Sequence, residues 1–329
     1  MRSTKSPSWS ERLLGLGPVT APPHAFRLDA STLAYAGFRR EGDVYQVAEA
    51  AEMELPPDTF QSGILGGPPR EPERFRATVA ELVGTLQAPV REASLVLPDA
   101  WLRLAFADTA SPPRGPDRDD VLRWKLRRLV PFRVDELRIT AVEVAPLPRQ
   151  EPEEPHRVLL GFAVDSLVTQ VEDAFAAAGV RLGRVTSASL ALLSAVAPHL
   201  PADGLAAVVL VDDGGYTLTF ARDREPVLHR YKGFAGALPE GAMGGLVSRD
   251  LRLTRSFLEE QLPGIPVARA LVAAPAAERG PWAERLADAL GAPAEGIGRD
   301  HLPAFAPTLP RTDWHRLAPL LGAVHREVR

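Results

Sequence analysis

The sequence predicts an α/β fold made of two copies of one structural unit, with a smaller α+β subdomain inserted in the first copy. Short apolar runs of strand length alternate with amphipathic helical segments along the chain. The same order of elements occurs twice. A segment rich in charged residues, bounded by proline-rich stretches, interrupts the first copy. These three observations together predict two related lobes and an insertion.

The composition narrows the class of protein. The chain has 329 residues and 45% hydrophobic content, which is enough for two hydrophobic cores. Its formal net charge is only -4, so no overall basic field favours nucleic acid. It contains no cysteine, which excludes disulfides and thiolate chemistry and is typical of the cytoplasm. No apolar run reaches membrane-spanning length. We therefore expect a cytoplasmic protein without a nucleic-acid partner.

The first copy begins with three predicted strands that are joined by short turns. They are His24–Asp29, Leu33–Arg39 and a third strand that ends near Met53. A helix follows at about Glu71–Leu86. Three further strands are predicted later in this copy, in ASLVLP, WLRLAF and RVLLGFAV. Two helices are predicted over residues 166–178 and Ser187–Ala197.

The second copy repeats the order of strand, aspartate turn, strand, turn, strand, helix, strand and helix. Its elements are Ala206–Asp212, Tyr216–Arg222, Val227–Tyr231, Ser248–Leu262, Ala268–Ala273 and Trp282–Leu290. An aspartate closes the first strand of each copy, Asp29 in the first and Asp212 in the second. This duplicated order is the pattern of the actin-like ATPase fold.

The domain organisation follows from this duplication. We expect a flexible N-terminal segment over residues 1–23, and a first actin-like domain over residues 24–200 with the insertion at about 98–150. The second actin-like domain is expected over residues 201–329, with a C-terminal helix that returns to the first domain.

The insertion contains a helix with two apolar faces. Within Asp119–Val144, Pro131 is expected to stop the helix, and a strand is expected from about Leu137. One helical face carries Leu122, Leu126, Leu129 and Val130. Val121 and Trp124 lie on a face that points nearly the opposite way. This second face either contacts a partner or packs under the strand of the insertion itself.

The turns after the two first strands are candidate phosphate-binding sites. In an actin-like fold the nucleotide lies between the two hairpins, and small turn residues let backbone N–H groups approach the phosphates. The candidate binding residues are Asp29, Ser31, Thr32, Asp212, Gly214, Gly215 and Thr217. The second turn contains two glycines, whereas the first contains none. Aspartate and glycine also form ordinary tight hairpin turns, which is the alternative interpretation of the second turn.

The expected adenosine site departs from the pattern of the fold. Adenosine rests there against a glycine pair after the penultimate strand, and this chain has Ala273-Ala274-Pro275 at that place. Side chains therefore stand where bare backbone is needed. ATP with magnesium is the cofactor that the fold implies, and the sequence predicts that its binding is weakened or lost. No catalytic residue and no metal site is predicted, since the seven histidines lack paired spacing and no phosphate-binding P-loop is present.

One segment of the insertion resembles a known family. LRWKLRRLVPFRVDEL (Leu122–Leu137) resembles the Arg-Trp-x(6)-Pro-Phe-x-x-(Asp/Glu)-Glu segment of the type IV pilus assembly protein PilM family. Further stretches are similar to that family, namely SLVLPDAWLRLAF, residues 174–196, VVLVDDGGYTLTF and LAPLLGAVHRE. The resemblance covers nearly all of residues 24–327.

The resemblance implies an ATP-binding adaptor at the cytoplasmic face of the inner membrane, and the departures at the adenosine site predict that this member is non-enzymatic. Members of the family hold the short cytoplasmic N-terminal tail of a PilN-type single-span protein in a groove beside the inserted subdomain. The residues of this chain that would contact the tail are Val121, Trp124, Arg128 and Phe132. Other proteins of the pilus machinery, or a second copy of the chain, are further expected partners.

Two alternatives stay open at the level of sequence. The first is an ATPase or small-molecule kinase of the same fold, which requires an intact adenosine pocket. The second is the cytoplasmic domain of a type II secretion platform protein, a class whose chains usually continue into a membrane span.

Overall fold

The computed structural model of the protein describes residues 22–41, 44–109, 118–131, 133–147, 156–212, 214–234, 242–302 and 314–324. Its strands, in chain order, are β1 (His24–Leu28), β2 (Thr32–Glu41), β3 (Val44–Glu54), β4 (Glu92–Leu97), β5 (Arg103–Thr109), β6 (Leu137–Val144), β7 (His156–Val164), β8 (Arg181–Ser187), β9 (Leu205–Asp212), β10 (Gly215–Arg222), β11 (Glu225–Gly233), β12 (Val267–Ala273) and β13 (Ala294–Gly296). Its α-helices are α1 (Pro72–Thr85), α2 (Arg118–Arg127), α3 (Asp165–Ala177), α4 (Ala188–Val196), α5 (Ala242–Gln261), α6 (Arg279–Leu290) and α7 (Trp314–Val324).

Two five-stranded sheets have the same strand order. The sheet of the first lobe runs β3-β2-β1-β4-β8, and that of the second lobe runs β11-β10-β9-β12-β13. In each sheet the first strand of the copy is central, antiparallel to the second strand and parallel to the fourth. The duplication predicted from the sequence is therefore confirmed.

Each lobe has its own hydrophobic core between its sheet and its outer helices. In the first lobe, Phe26 of β1 and Phe175 of α3 meet edge to face at 4.8 Å between ring centroids. In the second lobe, Tyr216 of β10 packs against Trp282 of α6 at 5.2 Å. Such aromatic pairs add to the stabilisation from buried area alone.

The inserted subdomain is a three-stranded antiparallel sheet, β5-β7-β6, with α2 beside it. Leu122 and Leu126 of α2 are buried against this sheet. The strand predicted from about Leu137 is confirmed as β6. Leu129, which the sequence places on the same helical face, lies beyond the end of the helix at Arg127, and its side chain is 48% exposed.

Helices α4 and α7 pack on each other between the two lobes. Every residue of α4 is buried. Helix α7 contacts α4, β1, β2 and β4, so the last helix lies against the first lobe. A Cβ on Gly322 of α7 would overlap the carbonyl oxygen of Ala191 in α4, so the close approach of these helices requires glycine there. Among the described residues, none of the helices is both long and apolar enough to cross a membrane.

Candidate functional site

The turns after β1 and β9 face each other across the cleft between the lobes. They border a cavity of about 310 Å³, which is completed by Trp101, Tyr231 and the start of α7. Five of the predicted cofactor-binding residues line this cavity, namely Asp29, Ser31, Asp212, Gly214 and Gly215. The structure thus brings the two predicted hairpins together.

Two of the predicted residues lie elsewhere. Thr32 is 7% exposed and donates its hydroxyl hydrogen bond to Asp29. Thr217 is 2% exposed within the sheet of the second lobe and does not line the cavity. The side chains of these two threonines are therefore placed to support the fold rather than to contact a ligand in the cleft.

The carboxylate of Asp29 is occupied by its own turn. Its Oδ1 atom accepts hydrogen bonds from the backbone N–H groups of Ser31 at 3.1 Å and Thr32 at 2.9 Å. The same atom also accepts from the hydroxyls of Ser31 at 3.3 Å and Thr32 at 2.8 Å. These donors are the groups that would approach a phosphate in this hairpin. Since a carboxylate of the chain already satisfies them, the first turn is closed on itself.

The carboxylate of Asp212 is paired with Arg27 of β1. The Nη2 atom of Arg27 donates to Oδ1 of Asp212 at 2.7 Å. Its Nη1 atom donates to the carbonyl oxygens of His315 at 3.2 Å and Arg316 at 3.5 Å. Its Nε atom lies 3.9 Å from Oδ2 of Asp29. The side chain of Arg27 is only 4% exposed and that of Asp212 is 25% exposed, so the guanidinium is shielded from water while the carboxylate still meets it.

The charge of Arg27 is held by its surroundings. Burial alone would lower the pKa of Arg27, but the negative charges of Asp212, Asp29 and Asp99 and the hydrogen bond to Asp212 raise this pKa above its ordinary value. The guanidinium is therefore charged at every pH at which the protein folds, and the cleft contains a fixed positive charge.

The residues of the cleft are a poor fit for magnesium-bound ATP. A metal ion between the hairpins would have to compete for carboxylate oxygens, since Oδ1 of Asp29 already accepts from its own turn and Oδ1 of Asp212 accepts from Arg27. The ion would also meet the positive charge of Arg27. Among the described residues, no group of three or more His, Asp or Glu side chains could hold a metal ion.

The two alanines at the expected adenosine site are buried. Ala273 and Ala274 are 1% and 0% exposed, and neither lines the cleft cavity. Pro275 is half-buried and residues 276–278 are exposed, so open surface begins only beyond the alanine pair. The side chain of Arg279 at the start of α6 lies across the backbone of Gly296 in β13, in the space that a Cβ on that glycine would need.

A buried polar cluster joins the lobes on the other side of the cavity. Ser189 donates its hydroxyl to Oδ1 of Asp99 and its backbone N–H to Oδ2 of Asp99 at 3.1 Å. Nε2 of His229, from β11 of the second lobe, lies 3.0 Å from the Ser189 hydroxyl and 3.5 Å from Asp99. These residue types also form hydrolase triads, but here the serine proton points to the aspartate and the Asp99 and His229 side chains are 1% exposed. The cluster is a structural bridge. Sequence analysis missed it, and the Pro98-Asp99 turn was its only local signal.

The outer face of α2 exposes large apolar side chains. Val121 is 40% exposed and Trp124 is 52% exposed, and Leu129 beyond the helix is 48% exposed. Packing of Trp124 under the strand of the insertion, the alternative interpretation, is therefore not observed. Phe132, the remaining apolar residue predicted to bind a partner, lies outside the described residues.

The basic residues of α2 and of the turn after it divide between two roles. Arg123 donates to the carbonyl oxygen of Val134 at 2.7 Å, and Arg127 pairs with Asp135 at 2.7 Å, so both stabilise the subdomain. The guanidinium of Arg128 and the ammonium of Lys125 lie 5.3 Å and 5.5 Å from the centroid of the Trp124 ring. Trp124 is thus an exposed aromatic ring with two cations beside it.

The fold can be compared with known proteins. No protein-family model and no curated protein matches the chain. A solved structure described as the PilM-PilN type IV pilus biogenesis complex matches with a TM-score of 0.71 and 19% identity, over 93% of this chain and 98% of that one. A Bacteroides thetaiotaomicron protein with an actin-like ATPase fold and unknown function matches with a TM-score of 0.52 and 8% identity, over 96% and 99% of the two chains. The chain has the actin-like ATPase fold.

A third solved structure is the cytoplasmic domain of EpsL, an inner-membrane component of the type II secretion system of Vibrio cholerae. It matches with a TM-score of 0.49 and 11% identity, over 93% of this chain and 95% of that one. The likeness to the PilM-PilN structure agrees with the resemblance drawn from the insertion motif. At these identities the likeness concerns the fold.

Proposed function

We propose that the protein is a non-enzymatic adaptor of a type IV pilus assembly complex, located at the cytoplasmic face of the inner membrane. In this role it binds the cytoplasmic N-terminal tail of a PilN-type single-span membrane protein. Two independent observations support the proposal. The insertion motif around Trp124 resembles that of the PilM family, and the fold matches a structure of a PilM-PilN complex over 93% of the chain.

The exposed ring of Trp124 carries the proposal. A tryptophan that is 52% exposed leaves a large apolar surface in water. Tryptophan and arginine are also the residues that dominate binding energy in protein interfaces. The chemistry around the ring defines the peptide that fits. An apolar side chain of the tail would cover Trp124 and Val121, while acidic groups would meet Arg128 and Lys125.

The cleft supports a role without ATP hydrolysis. The Oδ1 atoms of Asp29 and Asp212 are both engaged by groups of the chain itself, and buried Ala273 and Ala274 occupy the place of the glycine pair. An adaptor that recognises a peptide through its inserted subdomain needs neither of these sites.

The experiment measures binding of fluorescently labelled tail peptides of single-span pilus proteins by anisotropy. Since removal of an interface hot spot costs about 2 kcal/mol, we expect Trp124→Ala to weaken binding about 30-fold. Phe257→Ala is the matched control, because Phe257 is an exposed aromatic residue, 45% accessible, on α5 of the second lobe. This control should bind like the unchanged protein.

Two results would contradict the proposal. One is the absence of binding to every such tail. The other is micromolar binding of ATP with magnesium in calorimetry that is lost in Asp212→Ala, which would support the ATPase or kinase alternative.

A further inference from the structure

Arg27 contacts three parts of the molecule that are distant in sequence. It belongs to the first lobe, its Nη2 reaches Asp212 of the second lobe at 2.7 Å, and its Nη1 reaches the carbonyl oxygen of His315 in α7 at 3.2 Å. We call this set of contacts the Arg27 clamp. None of it depends on the proposed function, since it lies in the cleft and not on the inserted subdomain.

The sequence of α7 explains the contact between Arg27 and the carbonyl of His315. In an α-helix the carbonyl of His315 would accept a hydrogen bond from the backbone N–H of residue 319. Residue 319 is a proline inside the helix and has no N–H. The backbone nitrogen of residue 319 therefore cannot donate to the carbonyl of His315, and Nη1 of Arg27 donates to it. Pro319 and Arg27 thus act on the same carbonyl group, which lies 288 residues after Arg27 in the sequence.

The charge balance of the cleft favours the same conclusion. Two aspartates lie at the ends of the central strands of the two lobes, and a single buried guanidinium contacts both. A buried cation of this kind is stabilised only while its partners stay in place, because an uncompensated buried charge is strongly unfavourable. Separation of the lobes would break the pair of Arg27 with Asp212.

We propose that the Arg27 clamp is a built-in substitute for a ligand between the lobes. A positive charge attached to β1 holds the two hairpins and α7 together, so the observed arrangement of the lobes is held without nucleotide or metal. The cleft is then a fixed structural joint, and a ligand-driven hinge is absent from this protein.

The experiment measures the distance between the lobes by double electron–electron resonance. The chain has no cysteine, so nitroxide labels attach only at introduced sites. Glu81→Cys on α1 and Ser256→Cys on α5 place one label on an exposed position of each lobe. The distance distribution of the labelled protein should be narrow, and addition of ATP with magnesium should not change it.

Removal of the clamp should separate the lobes. We expect Arg27→Met to give a longer mean distance and a broader distribution. Arg76→Met is the matched control, because Arg76 forms an exposed ion pair with Glu73 at 2.7 Å on α1, away from the cleft. It should leave the distribution unchanged. A distribution in Arg27→Met like that of the unchanged protein would overturn the proposal, and so would shortening of the distance by ATP with magnesium.

A second variant serves if Arg27→Met does not fold. Arg27→Lys keeps the charge, but one ammonium group cannot reach Asp212 and the carbonyl of His315 together in the way that the guanidinium fork does. We expect it to broaden the distribution as well. A narrow distribution in this variant would show that charge alone joins the lobes, and the clamp through α7 would be rejected.

Discussion

The two lobes share one strand order, but the turns after their first strands use the aspartate in opposite ways. Arg27 in β1 pairs with Val96, two residues before Pro98, and Leu210 in β9 pairs with Ala273, two residues before Pro275. Asp29 and Asp212 each follow two positions later and are therefore equivalent in the two copies. Asp29 binds the donors of its own turn, whereas Asp212 reaches across the cleft to Arg27.

The difference shows which part of the duplicated unit is constrained. Strand order depends on the pairing and burial of apolar residues along the strands, which both copies retain. The turn lies at the cleft and can change its hydrogen bonds without altering the sheet. In the second copy, Gly214 and Gly215 have no side chains that could bond to Asp212, and the Asp212 side chain pairs with Arg27 instead.

Loss of the two aspartates should have unequal effects, and this is the largest effect that we expect. Asp212→Ala leaves the buried Arg27 without its close partner and should lower the free energy of unfolding by about 3 kcal/mol. Asp29→Ala removes the acceptor of the turn donors, but water can replace it because Ser31 is exposed. This variant should lower the free energy of unfolding by about 1 kcal/mol. Urea unfolding followed by circular dichroism measures both. Equal losses, or a larger loss in Asp29→Ala, would show that the turns are not used differently.

The glycines of the second turn should also differ from each other. A Cβ on Gly215 would overlap the carbonyl oxygen of Lys232 in β11, whereas a Cβ on Gly214 meets only the hydroxyl of Tyr231, at 3.7 Å. We expect Gly215→Ala to destabilise the protein by about 2 kcal/mol. Gly214→Ala, its neighbour and control, should change stability by less than about 0.5 kcal/mol. Thermal unfolding of the two variants measures these changes in stability. A Gly215→Ala variant as stable as the unchanged protein would show that the second turn accommodates a side chain at this position.

The smallest effect concerns pH. Burial raises the pKa of Tyr35 in the first lobe and of Tyr216 in the second, and Tyr216 also donates to Asp250 at 2.6 Å. The folded state thus keeps protons that unfolded tyrosines lose near pH 10, so the free energy of unfolding should fall as the pH rises above about 10. Tyr35→Phe and Tyr216→Phe should each make the fall of the unfolding free energy above about pH 10 less steep. Near neutral pH, neither variant should alter how the unfolding free energy depends on pH. Identical slopes in both variants and the unchanged protein would contradict this account.

The sequence predicts the duplicated order well because most strands are apolar and buried. The eight residues of β9 are an example, since seven of them are buried. Strand β8 (Arg181–Ser187) was missed because its sequence, RLGRVTS, contains two arginines and a glycine and therefore no apolar run. It lies at the edge of the sheet and pairs only with β4. Strand β13 was missed because it has only three residues. Short or polar edge strands owe their conformation to the neighbouring strand rather than to their own residues.

The candidate site was predicted only in part. An aspartate marked each hairpin, and glycines marked the second one, but local sequence could not show that Asp212 pairs with Arg27. Two signals were present, a single charged residue within the apolar strand HAFRL and a proline inside the amphipathic helix α7. Their relation is visible only in three dimensions, where Arg27 donates to the carbonyl of His315, 288 residues later in the sequence.

The position of α7 also constrains how the protein is made. This helix contacts β1, β2 and β4, which precede it in the chain and therefore leave the ribosome before it. During synthesis, the apolar side of those strands that α7 covers stays uncovered by this helix until residues 314–324 have been translated and have emerged. The first lobe is therefore completed only after the strands of the second lobe have been synthesised, and the nascent chain depends on protection of that apolar surface in the interval.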